Sequence, residues 1–169
     1  MKSMVLRLAC CLLVLGIFLS GCGTDEQESE SIAIGDEAPN FSLPSLDGTT
    51  VGSSSLKGSI VVLNFWATWC QPCMSEIPEL KKVAASSEAK VVGIALDQDG
   101  LKAIQPFVAS NNINYTVLVG DEEVFQRFNG VGIPYTLVLD RSQRIVKIYR
   151  GPTTQEALEQ DLQMISRGP

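Results

Sequence analysis

The sequence predicts an α/β fold: a central mixed β-sheet flanked by helices, entered through an N-terminal β-hairpin. Three observations carry this. Residues 59–67 and 91–96 are β-branched and aromatic runs with little polarity, the pattern of strands buried on both faces. Amphipathic stretches of helical composition alternate with such runs. The final elements are two strands around a short turn and one more helix, which mixes antiparallel pairs into the sheet.

In order, Phe41-Ser42-Leu43 and Thr49-Thr50-Val51 flank the turn signal Asp47-Gly48 and form the hairpin. The strand 59–67 leads into a helix at 72–85, with a kink expected at Pro78. Strand 91–96 is followed by a helix at 101–110, expected to be interrupted at Pro106, then strand 115–119 and a short helix at 122–128. Strands 133–139 and 145–149 enclose the turn Asp140-Arg141-Ser142-Gln143. The last helix opens on Thr153-Thr154-Gln155-Glu156, which fits a capping box, and carries Leu158, Leu162 and Ile165 on one face. There is no internal repeat.

Composition removes whole classes of chemistry. The 169 residues include five cysteines and no histidine, so catalysis by Ser-His-Asp or Cys-His and histidine-ligated metal are excluded. A net charge of −6 argues against nucleic acid as a partner, which normally requires a basic face. What remains is cysteine, carboxylate and lysine chemistry.

Lys2 and Arg7 precede an apolar stretch at residues 8–19, shorter than the roughly 20 residues of a spanning helix and read as a secretory signal. It ends in Leu19-Ser20-Gly21-Cys22, which resembles the bacterial lipobox, in which the cysteine is lipidated and becomes the new N-terminus. The alternative is an ordinary signal cut near Gly21 or Gly23. On the lipobox reading, residues 1–21 are the signal peptide and 22–31 are a lipidated cysteine with an acidic tether of about 15–20 Å reach. Residues 32–169 then form one domain, and the mature chain keeps eleven basic and nineteen acidic residues, net −8. Its cysteines are Cys22, Cys70 and Cys73.

Cys70-Gln71-Pro72-Cys73 stands where the buried strand ends and the helix begins. A thiol there faces unpaired backbone N–H groups and the positive end of the helix dipole, which favour thiolate. Cys70, expected to be the exposed member, is the candidate nucleophile, and Cys73, one turn later, the resolving thiol. Half a zinc site and a purely structural disulfide are the bland readings. The first lacks a second pair or a histidine, and the second closes too small a loop to stabilise much.

The segment Asn64-Phe65-Trp66-Ala67-Thr68-Trp69-Cys70-Gln71-Pro72-Cys73 resembles the active-site segment of the thioredoxin superfamily, and specifically of its TlpA/ResA-like, membrane-tethered branch. Ala38-Pro39-Asn40-Phe41-Ser42-Leu43-Pro44-Ser45-Leu46-Asp47-Gly48 is similar to that branch's entry segment, and Gly132-Ile133-Pro134-Tyr135-Thr136 to the family's cis-proline loop. The resemblance implies a thioredoxin-like fold with an inserted strand-helix unit, for which the stretch between Cys73 and Pro134 leaves room. It implies a thiol-disulfide oxidoreductase with no cofactor beyond the Cys70–Cys73 disulfide and no metal. Pro134 would be cis, shielding the pair from metal and leaving Ile133 to bind an extended substrate in β fashion.

Glu76 lies three residues after Cys73, on the same side of the helix. In the resembling branch a glutamate here is linked to tuning of the thiols; the alternative is a solvated first-turn glutamate. Asn64 departs from general thioredoxins, which carry a buried aspartate at this strand position, so a proton carrier must be water or Glu76. Trp69 is a candidate substrate contact. Gly130-Val131-Gly132 lacks a third glycine and leads into a strand, so it is no dinucleotide fingerprint.

The resemblance further implies protein substrates with disulfides, such as apocytochrome c, a membrane electron donor of the CcdA/DsbD type, and an extracytoplasmic, lipid-anchored location on a bacterial membrane. Gln71-Pro72 is similar to reducing members, and no histidine stands beside Cys73, as it commonly does in strong oxidants. Two readings of other kinds stay open: a non-catalytic thioredoxin-like binding module, and a thiol peroxidase.

Overall fold

The computed structural model describes residues 32–167. The expected signal peptide, Cys22 and the expected tether through Ser31 lie outside the described residues.

Strand β3 (Val61–Trp66) organises the domain. All six of its residues are buried, and it is bonded on both edges, parallel to β4 (Lys90–Ala95) and antiparallel to β6 (Tyr135–Leu139). With β5 (Thr116–Val119) and β7 (Ile145–Arg150) the sheet order is β5-β4-β3-β6-β7. The predicted mixed sheet is therefore present, and the added unit between Cys73 and Pro134 supplies its edge strand, β5. The hairpin of β1 (Ser42–Pro44) and β2 (Thr50–Gly52) turns through Gly48, whose φ of 84° suits glycine. Asp47 Oδ1 accepts from Thr49 N–H at 2.9 Å within that turn. Ser45 then bridges to Leu118, covering part of the exposed edge of β5.

The alternation of β3 separates two layers. Val61, Leu63 and Phe65 face an aromatic cluster in which Phe65 lies 5.3 Å from Phe125 and 5.2 Å from Phe128, centroid to centroid, at spacings typical of favourable aromatic pairs. Phe125 belongs to α3 (Glu122–Arg127), which Asp121 caps by accepting from Val124 N–H at 2.9 Å. On the other face, Val62 packs under Leu80 and Val83 of α1 (Gln71–Ser86) and Leu158 and Leu162 of α4 (Gln155–Arg167), while Trp66 packs with α2 (Leu101–Ser110).

Two helix expectations need correction. α2 runs unbroken through Pro106, although proline removes one intrahelical bond. Ile104 of this helix is fully buried and Phe107 packs on Trp66 at 5.4 Å, so tertiary burial holds together what propensity would break. α1 carries Pro78 inside one helix, where the sequence places it. The capping box at α4 is also shifted. Thr154, rather than Thr153, caps it, accepting from Ala157 N–H at 3.3 Å, and Glu156 therefore sits one position short of the reciprocal contact. The N–H of Thr153 is directed instead to Glu76.

Leu80 is fully buried between α1, the sheet and α4. Leu80→Ala is expected to lower stability by roughly 2–5 kcal/mol, read as a fall in urea midpoint with an unchanged denaturant slope.

Candidate active site

Cys70 is the residue that joins β3 to α1. It is the N-cap of α1, with extended backbone (φ −81°, ψ 99°), and its Sγ accepts from Cys73 N–H at 3.2 Å. Pro72 in the first turn has no N–H to leave unpaired, so the helix start tolerates it at no cost. Among the residues of the first turn none is acidic, which leaves the positive helix end directed at the sulfur. Cys70 and Cys73 form a disulfide across one helical turn, with their Cα atoms 5.3 Å apart. Cys70 was expected to be exposed, but in this oxidised pair it retains only 4% exposure and Cys73 none. Both sulfur-bearing residues pack in a cluster with Trp66, Ala67 and Ile77, against which Leu46 and Ile133 close.

The Ile133–Pro134 peptide bond is cis. Pairing of Phe65 with Tyr135 in the β3–β6 ladder brings this loop to the end of β3, and hence to the disulfide. Tyr135 Oη donates to Phe128 O at 3.0 Å, and Gly151 N–H donates to Pro134 O at 2.9 Å, so the loop is held from the aromatic cluster and from the β7–α4 connection. Neither the N–H nor the C=O of Ile133 has a backbone partner among the described residues. Gly130 lies tightly under this loop; a Cβ there would come within 2.0 Å of the Phe125 ring, a packing reason for the glycine.

Trp69 is 69% exposed and, with Gly132 and Ile133, lines a groove of about 630 Å³ that also meets Phe125, Asp97, Asp99 and Glu122. Trp66 is wholly buried.

Glu76 is not a solvated first-turn glutamate. It is 1% exposed and lies beneath the disulfide helix in a polar network. Oε2 accepts from Asn64 Nδ2 at 2.9 Å, and Oε1 accepts from Thr136 Oγ1 at 3.1 Å and from Thr153 N–H at 3.2 Å. Asn64 Nδ2 also donates to Thr136 Oγ1 at 2.8 Å across the ladder pair Asn64–Thr136. Burial pushes the Glu76 carboxyl up to about 7, even though its three donors favour the charged form. Burial, with the Glu76 charge adding to it, pushes the Tyr115 hydroxyl well above the usual tyrosine range. Asn64 Oδ1, Thr153 Oγ1 and Tyr115 Oη are buried in the same region without a partner.

Thr136, Thr153 and Asp97 were not singled out from sequence. Thr136 had a readable signal, because it stands opposite Asn64 and points to the same face. Asp97 follows the carboxyl end of a buried parallel strand, a favoured place for functional groups. Thr153 had none, since its part is played by its backbone.

A disulfide at the mouth of a helix that follows the central strand, faced by a cis-proline loop, defines a thioredoxin-fold protein-disulfide oxidoreductase. The chain belongs to the AhpC/TSA family, which it matches over residues 34–156. It is 32% identical over 142 residues to the thiol-disulfide oxidoreductase ResA of Bacillus thuringiensis subsp. konkukian, covering 82% of each chain. The ResA of Bacillus subtilis is 31% identical, over 82% of this chain and 79% of that protein. Among solved structures, a putative thiol:disulfide interchange protein DsbE from Chlorobium tepidum superposes with a TM-score of 0.74 at 30% identity, covering 80% of this chain and 99% of that one.

The raised carboxyl of Glu76 has a consequence for stability. The folded state holds this proton up to about pH 7, whereas the unfolded chain releases it near 4.5, so the native state binds more protons between those values. Stability contributed here is full below about 4.5 and is lost as pH rises toward 7, by about 3 kcal/mol in total. In a series of urea melts over that window, Glu76→Gln should remove this slope while leaving the other titrations in place.

Proposed function

We propose that the chain is an extracytoplasmic, lipid-anchored thiol-disulfide oxidoreductase that reduces disulfides in exported proteins. The observation that carries the reading is the placement of Cys70, which caps α1 beside the cis-proline loop with an unpaired backbone at Ile133. In the reduced protein, Cys70 thiolate attacks one sulfur of a substrate disulfide. The other substrate sulfur leaves and takes a proton, giving a mixed disulfide. Cys73 then loses its proton, attacks Cys70 Sγ, and releases the second substrate sulfur. Two electrons pass from the dithiol to the substrate, and the Cys70–Cys73 bond is restored.

The proton of Cys73 needs an acceptor. Asn64 is an amide and cannot serve; Glu76 lies one turn along the same helix with a carboxyl poised near neutrality. Ile133 pairs with an extended substrate segment, and Trp69 offers an aromatic face at the rim of the groove. Exported proteins with cysteine pairs, apocytochrome c among them, are the substrates that the family resemblance favours, and a CcdA/DsbD-type membrane protein is the matching electron donor. Anchoring at Cys22 would raise the local concentration of the domain near such a donor. Among the described residues no helix is long and apolar enough to cross a membrane.

An insulin-type disulfide reduction assay tests the central claim. Wild type should turn over with dithiol consumption, Cys70→Ser should lose activity entirely, and Cys73→Ser should accumulate a mixed disulfide visible by mass. Absence of thiol-dependent turnover in wild type would instead favour a binding module. The direction is read from the reduction potential: a value near about −270 mV supports a reductant and one near about −120 mV an oxidant.

A further inference from the structure

Asp97 is a buried carboxylate that the exchange reaction above does not use. It stands just past β4, is 5% exposed, and is turned toward the segment that carries Cys70. Its Oδ2 and Oδ1 accept from Thr68 N–H at 3.1 and 3.2 Å, and Oδ1 also accepts from the Thr68 hydroxyl. The turn from Ala67 to Cys70 is closed internally by Cys70 N–H donating to Ala67 O at 3.1 Å. It is therefore held at both ends, from within and from Asp97. Asp97 is itself fixed: the N–H of Leu96 donates to Trp66 O, and Asp97 O accepts from Gly100 N–H, each at 2.9 Å.

Charge is the second part of the observation. The ion pairs among the described residues are Lys57–Glu37 and Lys82–Glu79, and neither involves Asp97. The groove that Asp97 lines contains Asp99 and Glu122 and no lysine or arginine. A neutral amide would accept a bond from Thr68 without burying an anion, which is costly when unpaired. What the carboxylate adds is a negative charge on the turn that carries Cys70, two residues before it. Around Cys70, the helix start of α1 favours thiolate, whereas Asp97, just past β4, and Glu76 of α1 when ionised oppose it. Tyr115, from the segment before β5, adds no positive charge.

We propose that Asp97 is a positioning residue of the redox site, fixing the turn that carries Cys70 and holding its thiol less acidic than the helix start alone would make it. This rests on Cys70 being the attacking thiol. A less acidic thiol disfavours the dithiolate side of the couple and so makes the pair a better reductant.

The test uses the reduced full-length chain and the variants Asp97→Asn and Asp97→Ala. Iodoacetamide alkylation is followed across pH with the modified cysteine assigned by mass, and each variant is equilibrated with glutathione. Asp97→Asn, which keeps an acceptor for Thr68, should alkylate Cys70 about threefold or more faster near neutral pH. Its equilibrium should shift toward the dithiol by a similar factor. Asp97→Ala, which also frees Thr68, should show the same shift in acidity and lose about tenfold in kcat/KM. An alkylation profile and a glutathione equilibrium in Asp97→Asn that superimpose on wild type would overturn the inference, even if Asp97→Ala proves too unstable to assay. Alkylation of Cys73 ahead of Cys70 in wild type would overturn the attacking-thiol reading first, and this one with it.

Discussion

The site depends on β3 being buried on both faces and bonded on both edges. A strand so constrained has one register and one direction, because a slip of one residue would place Asn64 and Trp66 among the aromatic rings and Phe65 under α1. Its end is then a defined point in space, and the chain turns there into α1 with Cys70 as cap. The neighbouring strands bring their own ends to the same point. β4 runs parallel and delivers Asp97 beside Thr68, while β6 runs antiparallel and begins there, which places Pro134 next to the disulfide. Three chain segments far apart in sequence converge because one strand fixes them all.

Beneath that point the interior is polar. Asn64, Thr136 and Thr153 N–H converge on one carboxyl of Glu76, and no cation joins the hydrogen bonds to it. Burial outweighs the three donors, as the upward displacement of the carboxyl to about 7 shows. A network of this kind is a costly way to fill space under a helix, since Asn64 Oδ1 and Thr153 Oγ1 are left without partners. It also ties the redox helix to the C-terminal helix: Glu76 takes Thr153 N–H just before α4, and Glu79 takes Gln155 N–H at its first residue, 3.1 Å away. A change of charge at Glu76 therefore acts on the base of α4 as well as on the dithiol.

Much of this was legible because it is written in local pattern. The β-branched run through Val61 and Val62, the cysteine pair at its end and the turn at Asp47-Gly48 each state their structure within a few residues. What was not legible is decided by contacts across long separations. Pro106 signals a break, yet Ile104 and Phe107 are held by Trp66 and its neighbours, which no window around Pro106 contains. Thr153 and Glu156 have the spacing of a capping box, but the Thr153 N–H is taken by Glu76, 77 residues earlier. Glu76 itself was open between tuning the thiols and standing solvated in the first turn, because helical spacing placed it beside Cys73 and said nothing of the depth of the sheet below.

The proposed reductant direction follows from the balance of charge around one sulfur. The start of α1 alone would make Cys70 acidic, and an acidic thiol leaves a mixed disulfide readily, which is the behaviour of an oxidant. No histidine is present anywhere in the chain to add to that tendency. Against it stand two buried carboxyl groups, Asp97 bonded to Thr68 and Glu76 bonded to Asn64, Thr136 and Thr153. The two differ in how they act. Glu76 titrates near neutrality and can change its charge during the exchange, whereas Asp97 is tied by its hydrogen bonds to the turn itself. A dithiol set between a helix end and two buried carboxylates keeps its electrons less tightly than the helix end alone would dictate, and a protein-disulfide reductase requires that property of its cysteines.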